Sequence, residues 1–177
     1  MFSIIDIEAT GGNAKIGKIT ELAIYRYDGF NTVDSYECLI NPERSIPFYV
    51  QRLTGITNKM VASAPLFKQV AKEVQEFMKG SYFVAHNVKA DYSFIQAEMK
   101  QAGIDFKSER LCTLELSKAL IPEAKAHGLD NICSFLNINV PDRHRAKGDA
   151  LATLQLFQIL MQKIDSKELT KKYIRKA

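Results

Sequence analysis

The sequence predicts one α/β domain in which a small antiparallel meander is followed by mostly helical chain. The first 40 residues hold three strand-like runs, 2–8, about 19–27 and about 32–40, with the turn pair Asp28-Gly29 between the last two. From residue 67 onward apolar residues recur at helical spacing, interrupted by two short strand-like runs. No repeat or low-complexity linker divides the chain, and 177 residues suit a single core.

Each element has its own signal. Phe67, Val70, Ala71, Val74, Phe77 and Met78 fall on one helical stripe, and Gly80 is placed to end it. A short strand over Tyr82–Ala85 follows. A helix from about Asp91 to Ala102 turns Phe94, Ile95, Met99 and Ala102 inward and stops at Gly103. Arg110–Cys112 reads as another short strand, trailed by a helix that Pro122 closes. Leu129, Ile132, Cys133 and Leu136 mark a further helix. Leu151–Ile164 belongs to the last one, opened by Asp149 and apolar around so much of its circumference that it must be buried.

Composition narrows the class. Hydrophobic residues at 46% and charged ones at 25% are ordinary globular proportions, and no apolar run reaches membrane-spanning length. The N-terminus runs straight into strand-like sequence without the pattern of a secretory signal, so a cytoplasmic protein without membrane attachment is expected. Cys38, Cys112 and Cys133 lack both disulfide-framework and zinc-site spacing and read as reduced, mostly buried small hydrophobes. The net charge of +4 resides wholly in the last eleven residues, where Lys167, Lys171, Lys172, Arg175 and Lys176 face only Glu168. We therefore divide the chain into a domain over 1–166 and a basic tail, or the start of a linker, over 167–177.

The most informative stretch is the first. In Phe2-Ser3-Ile4-Ile5-Asp6-Ile7-Glu8, residues 2, 4, 6 and 8 share one side of a strand, so an apolar face ends in two carboxylates. Like charges at neighbouring buried positions cost several kcal/mol unless a cation lies between them. Oxygen-only ligands favour Mg²⁺ or Mn²⁺ over zinc. The plain alternative is that Asp6 and Glu8 end the strand and point into water. Asp91, after a strand and loop, and Asp149, at a helix start, are singly good N-caps, and His144 alone is an ordinary loop histidine. His86 and His127 carry no more than a local hydrogen-bonding role.

Taken together these residues form a pattern. Asp6-Ile7-Glu8-Ala9-Thr10-Gly11, His86-Asn87-Val88-Lys89-Ala90-Asp91 and His144-Arg145-Ala146-Lys147-Gly148-Asp149-Ala150 resemble the three motifs of the DEDDh, or DnaQ-like, 3′→5′ exonucleases. That family includes the proofreading subunit of bacterial DNA polymerase III. Asn41-Pro42, Ile46-Pro47, Leu53-Thr54-Gly55-Ile56-Thr57 and His127-Gly128-Leu129-Asp130 add to the likeness, which covers about residues 2–164. The resemblance implies a ribonuclease H-like fold: a mixed five-stranded sheet, first three strands antiparallel, flanked by helices.

It also implies a chemistry. Two divalent cations roughly 4 Å apart can prepare a water nucleophile and stabilise both the attacking and the leaving oxygen of a phosphodiester. By the family's pattern Asp6, Glu8 and Asp149 hold the cation beside the attacking water, Asp6 bridges to the second, and Asp91 supports that one. His144 takes the water's proton, as an imidazole of ordinary pKa about 6.5 can. The backbone around Ala9, Thr10 and Gly11 meets the terminal 3′-OH. Ile56, Asn87, Arg143, Arg145 and Lys147 are the further substrate contacts expected. The implied partner is the 3′ end of single-stranded DNA, with RNA possible, beside a DNA polymerase or a fused domain.

Departures from the family's pattern concern grip, not metal. Gly12 stands where many members carry a bulky apolar wedge, Ala90 where many have Phe, and Lys147-Gly148 where the third motif often has an acid or apolar residues. Two other readings stay open: an exoribonuclease using the same motifs, and a non-catalytic module that holds 3′ ends for a polymerase. The intact acids and His144 argue against the second, because an inactive copy has no reason to keep buried like charges.

Overall fold

The computed structural model describes residues 1–176. At its centre is β1 (Phe2–Ala9), paired antiparallel with β2 (Ile19–Tyr27), which pairs antiparallel with β3 (Thr32–Leu39). Two helices that the sequence does not announce by periodicity, α1 (Phe48–Thr54) and α2 (Asn58–Val61), precede α3 (Phe67–Met78). The chain then re-enters the sheet as β4 (Tyr82–Ala85), parallel to β1, continues as α4 (Lys89–Gln101), and returns as β5 (Arg110–Cys112), parallel to β4. The resulting order, β3-β2-β1-β4-β5, is the expected five-stranded mixed sheet with an antiparallel first half. Helices α5 (Thr113–Leu120), α6 (Leu129–Phe135), α7 (Ala146–Met161) and α8 (Ser166–Lys172) complete the chain.

Strand alternation sorts the core into two layers. Ile5, Leu22 and Ile24 pack with Phe67, Val70 and Val74 of α3 and with Phe94, Ile95 and Met99 of α4. On the other face Phe2, Ile4 and Tyr27 meet Leu116, Ile132 and the α7 residues Leu156, Phe157 and Leu160. Phe157 meets the Phe2 ring edge-on at 5.0 Å, and burying each such side chain stabilises by roughly 1.5–3 kcal/mol.

Three boundaries differ from expectation. Asp149 does not open its helix, which begins at Ala146, and Asp149 lies within the first turn. That helix is not the last: Asp165 caps α8 by accepting from the amides of Lys167 and Glu168, because the polar run after Ile164 contains an N-cap signal as well as basic charge. The basic segment is thus helical and docked, with Leu169 buried and Arg175 exchanging both backbone hydrogen bonds with Arg110 at the β5 edge.

Two irregularities shape the end of the sheet where β1 terminates. Glu8 lies opposite Glu21 but Ala9 lies opposite Ile19, so Thr20 is an extra residue that re-aims the end of β1. Gly148 sits so close to the preceding loop that a Cβ there would fall 1.9 Å from the Pro141 carbonyl oxygen. Only a glycine lets the loop lie against α7 this closely.

Candidate active site

Asp6 and Glu8 project from the face of β1 that α7 covers, and α7 brings Asp149 against them. Carboxylate oxygens of Asp6, Glu8 and Asp149 all lie within 4.8 Å of one another. Asp91 arrives from the opposite layer. β4 pairs with β1 only over Phe2–Ile4, and the Asp91 carboxylate lies near the amides of Ile7 and of Asp91 itself, two donors that favour its charged form.

The electrostatics are those of crowded acids. Desolvation, then repulsion from Asp91, Asp149 and Glu8, raises the Asp6 carboxyl well above its usual value. Burial first, then Asp149, Glu21 and Asp91, lifts Glu8 to about 7. Asp91 also rises to about 7 because of burial, held back by its two backbone donors. The cation that opposes this is Arg143, hydrogen-bonded to Asp149 and, through Nη2 at 2.6 Å, to Asp130 on α6. Closely placed hard oxygen donors that resist ionising together fit a divalent cation, and Mg²⁺ and Mn²⁺ are ions of that preference. Asp6, Glu8 and Asp149 are the residues that would hold it, with Asp91 at the edge of the same cluster.

His144 lies half-buried in the loop before α7 with φ 60°, and Asp142 beside it has φ 50°. Both are left-handed conformations that cost a non-glycine residue roughly 1 kcal/mol or more. The flanking cations are engaged. Arg145 Nε donates to the Glu21 carboxylate at 3.0 and 3.2 Å while its Nη2 donates to the same group. Lys147 Nζ donates to Glu37 at 3.0 Å, an exposed pair. All three expected phosphate contacts, Arg143, Arg145 and Lys147, therefore rest on carboxylates of this chain.

The remaining expected contacts divide. Thr10 is held in a reciprocal pair with Lys18: the Thr10 amide donates to the Lys18 carbonyl (2.8 Å), and the Lys18 amide to Thr10 Oγ1 (3.0 Å). Lys18 is anchored in turn by Glu98 of α4 at 3.1 Å. Gly11 and Gly12 border a cavity of about 460 Å³ shared with Ile16, Arg44, Pro47 and Tyr49, and nothing lies within 4 Å of a Cβ built at either glycine. Asn87 is exposed at φ 67° on the turn into α4. Ile56 does not reach this surface. It is 0% exposed, packed with Ile46, Val50 and Val61, because the Leu53–Thr57 segment folds its one β-branched aliphatic side chain inward under α1. His86 and His127 serve the scaffold: His86 Nε2 donates to the His127 carbonyl at 2.8 Å, and His127 Nδ1 lies 3.1 Å from Ser117 Oγ.

Sequence reasoning missed Glu21 and Asp130, the carboxylates that hold the two arginines flanking His144. The available signal for Glu21 was a lone acid inside the apolar run Ile19–Ile24.

Comparison with known proteins identifies the family. The chain is 36% identical over 163 residues to the PolC-type DNA polymerase III of Caldanaerobacter subterraneus subsp. tengcongensis and 35% identical over 165 residues to the 3′-5′ exonuclease DinG of Bacillus subtilis, each match covering 92% of this chain. It spans only 12% and 18% of those two proteins. Among solved structures it superposes on exonuclease X in complex with 5′ overhanging duplex DNA with a TM-score of 0.73, 28% identity and 92% coverage of each chain. The nuclease domain of 3′hExo, a DEDDh family member bound to rAMP, shares the fold at a TM-score of 0.77 and 18% identity, covering 99% of this chain and 95% of that one. Residues 3–157 match the RNase_T exonuclease family model, and the chain belongs to that exonuclease family.

Proposed function

We propose that this chain removes nucleoside monophosphates one at a time from free 3′ ends, single-stranded DNA above all, using two divalent cations, Mg²⁺ or Mn²⁺, and His144 as general base. The observation that carries the reading is the convergence of Asp6, Glu8 and Asp149 at the end of β1 with Asp91 beside them. Bound cations supply Lewis-acid stabilisation of charge on the scissile phosphate and ease loss of a proton from water. Asp6, Glu8 and Asp149 would hold one cation, and Asp6 with Asp91 would hold the other. His144, on the loop before α7, accepts the proton of the attacking water. The backbone of Ala9–Gly11, shaped by the bulge at Thr20 and the Thr10–Lys18 pair, meets the 3′-OH. Asn87, Arg143 and Lys147 would contact phosphates of the bound strand; for Lys147 the exposed pair with Glu37 exchanges partners at little cost, whereas Arg143 would have to leave its carboxylates.

DNA is favoured by the relatives' own descriptions, a DNA polymerase and an exonuclease bound to duplex DNA. We further propose a catalytic unit that works in the cytoplasm beside a DNA polymerase or a fused domain, a reading supported by its likeness to a PolC-type DNA polymerase III. No helix among the described residues is long and apolar enough to cross a membrane. One digest tests the reading: 3′-labelled, 5′-labelled and circular oligonucleotides, as DNA and as RNA, with Mg²⁺, Mn²⁺ or chelator. Stepwise shortening from 3′ ends that stops with chelator is expected. Cleavage of circles, or cleavage undiminished by chelator, overturns it, and faster loss of RNA than DNA reassigns the substrate.

A further inference from the structure

Glu21 is 7% exposed, on β2, directly across the ladder from Glu8. Its carboxylate is fully committed: both oxygens receive the Arg145 guanidinium, and Oε2 also accepts from the amide of Ala146, the first residue of α7, at 2.8 Å. A further acid beside Glu8 adds repulsion to a crowded site, and a buried carboxylate persists only when its partners offset that cost. The partners here lie on either side of the peptide linking Arg145 to α7, one residue from His144.

That segment needs holding. Asp142 and His144 are both left-handed, and such conformations survive only where the surroundings over-determine them. On one side of His144 the restraint is Arg143, tied to Asp130 and Asp149. On the other it is Arg145, tied to a different element, the sheet itself. We infer that Glu21 is a positioning residue which, by clamping Arg145 and the first amide of α7 to β2, fixes the backbone that presents His144 to the carboxylate cluster. Arg145 is then a bracket for the loop, not a phosphate contact. The inference rests on the proposed role of His144.

Glu21→Ala, Glu21→Gln, Arg145→Ala and the Glu21→Ala/Arg145→Ala double variant test it on linear single-stranded DNA with saturating Mn²⁺. Loss of the clamp should lower kcat at least about tenfold with KM nearly unchanged, since sub-ångström misplacement of a catalytic group is costly. The double variant should be no slower than the worse single one. Glu21→Gln keeps one oxygen that can accept from Arg145 Nε and Ala146 but sets its NH2 against Arg145 Nη2, so it should recover kcat only in part. In the metal-free protein, the His144 ring resonances should shift and broaden in Glu21→Ala while those of His86 and His127 stay in place. Losses that multiply in the double variant, a salt-dependent rise in KM at constant kcat, or unmoved His144 resonances overturn the inference. Should Glu21→Ala fail to fold, Arg145→Ala, altered at a partly exposed site, gives the same kcat and resonance readouts. A wild-type protein that cuts nothing defeats the nuclease reading alone, because the resonances still decide whether Glu21 holds His144.

Discussion

The Arg143 guanidinium is hydrogen-bonded to the Asp149 carboxylate, so a cation approaching the cluster meets a ligand that already has a positive partner. Arg143 and a bound metal ion would compete for the Asp149 carboxylate. Arg143→Gln should therefore tighten Mn²⁺ binding roughly fivefold, the scale of a partly exposed ion pair of about 1 kcal/mol. It should also lower the melting temperature of the metal-free protein at neutral pH. Calorimetric titration checks the first and a thermal scan the second, and weaker metal binding would instead mean that Arg143 orients Asp149 for coordination.

Removing a ligand should be far more damaging. Asp6→Asn or Asp149→Asn should slow 3′-end cleavage at least about a thousandfold, roughly 4 kcal/mol of transition-state stabilisation. Single-turnover rates at saturating metal measure it, and wild-type turnover in either variant removes that residue from the site.

The metal-free protein should lose stability as the solution becomes less acidic. Glu8 and Asp91 rise from ordinary carboxyl values of 4.5 and 3.8 to about 7 on folding, so the folded state binds their protons more tightly than the unfolded chain. That advantage is complete below the unfolded values and fades as pH climbs to the folded ones, on the order of 3 kcal/mol for Glu8. Melting temperatures without metal should fall between about pH 5 and pH 8, less so in Glu8→Gln, and saturating Mg²⁺ should remove the fall. A wild-type profile with the same slope as Glu8→Gln would contradict the raised value.

His144→Ala should lower the chemical rate about a hundredfold or more and leave Mn²⁺ affinity within a factor of about two, because a base that touches only water holds no metal. A large loss of metal binding would move His144 into the coordination shell.

Gly12 borders open space, and its backbone lies outside the left-handed region, so Gly12→Leu should be accommodated. Filling the cavity that Tyr49 also lines should tighten binding of single-stranded 3′ ends, by up to roughly tenfold if part of a base-stacking contact of about 1–3 kcal/mol is restored. Fluorescence anisotropy with labelled oligonucleotides reads this. Unchanged affinity would show that Tyr49 and its neighbours already occupy the wedge position.

What the sequence made legible follows from periodicity. Asp6 and Glu8 share a face because strands alternate by two, and the α3 stripe is visible because Phe67 to Met78 repeats at helical spacing. The short α1 and α2 were not, since four to seven residues hold too few turns to display a period. Ile56 was misjudged because family likeness locates a segment, not which of its side chains points inward. Glu21 and Asp130 escaped because their partners lie 124 and 13 residues away, and a lone acid in a strand or helix carries no mark of the arginine it will meet.

The two margins of the sheet differ in chemical availability. On β5, Arg110 already trades both its backbone hydrogen bonds with Arg175, whereas Thr32–Leu39 of β3 lies largely exposed and pairs with β2 alone among the strands. An extended peptide seeking to continue the ladder would find its template at β3, where Glu37 stands exposed and Asp34 projects a second negative charge. Acidic strands align poorly with copies of themselves, so self-templated growth of this sheet is resisted by charge at one margin and by prior occupation at the other.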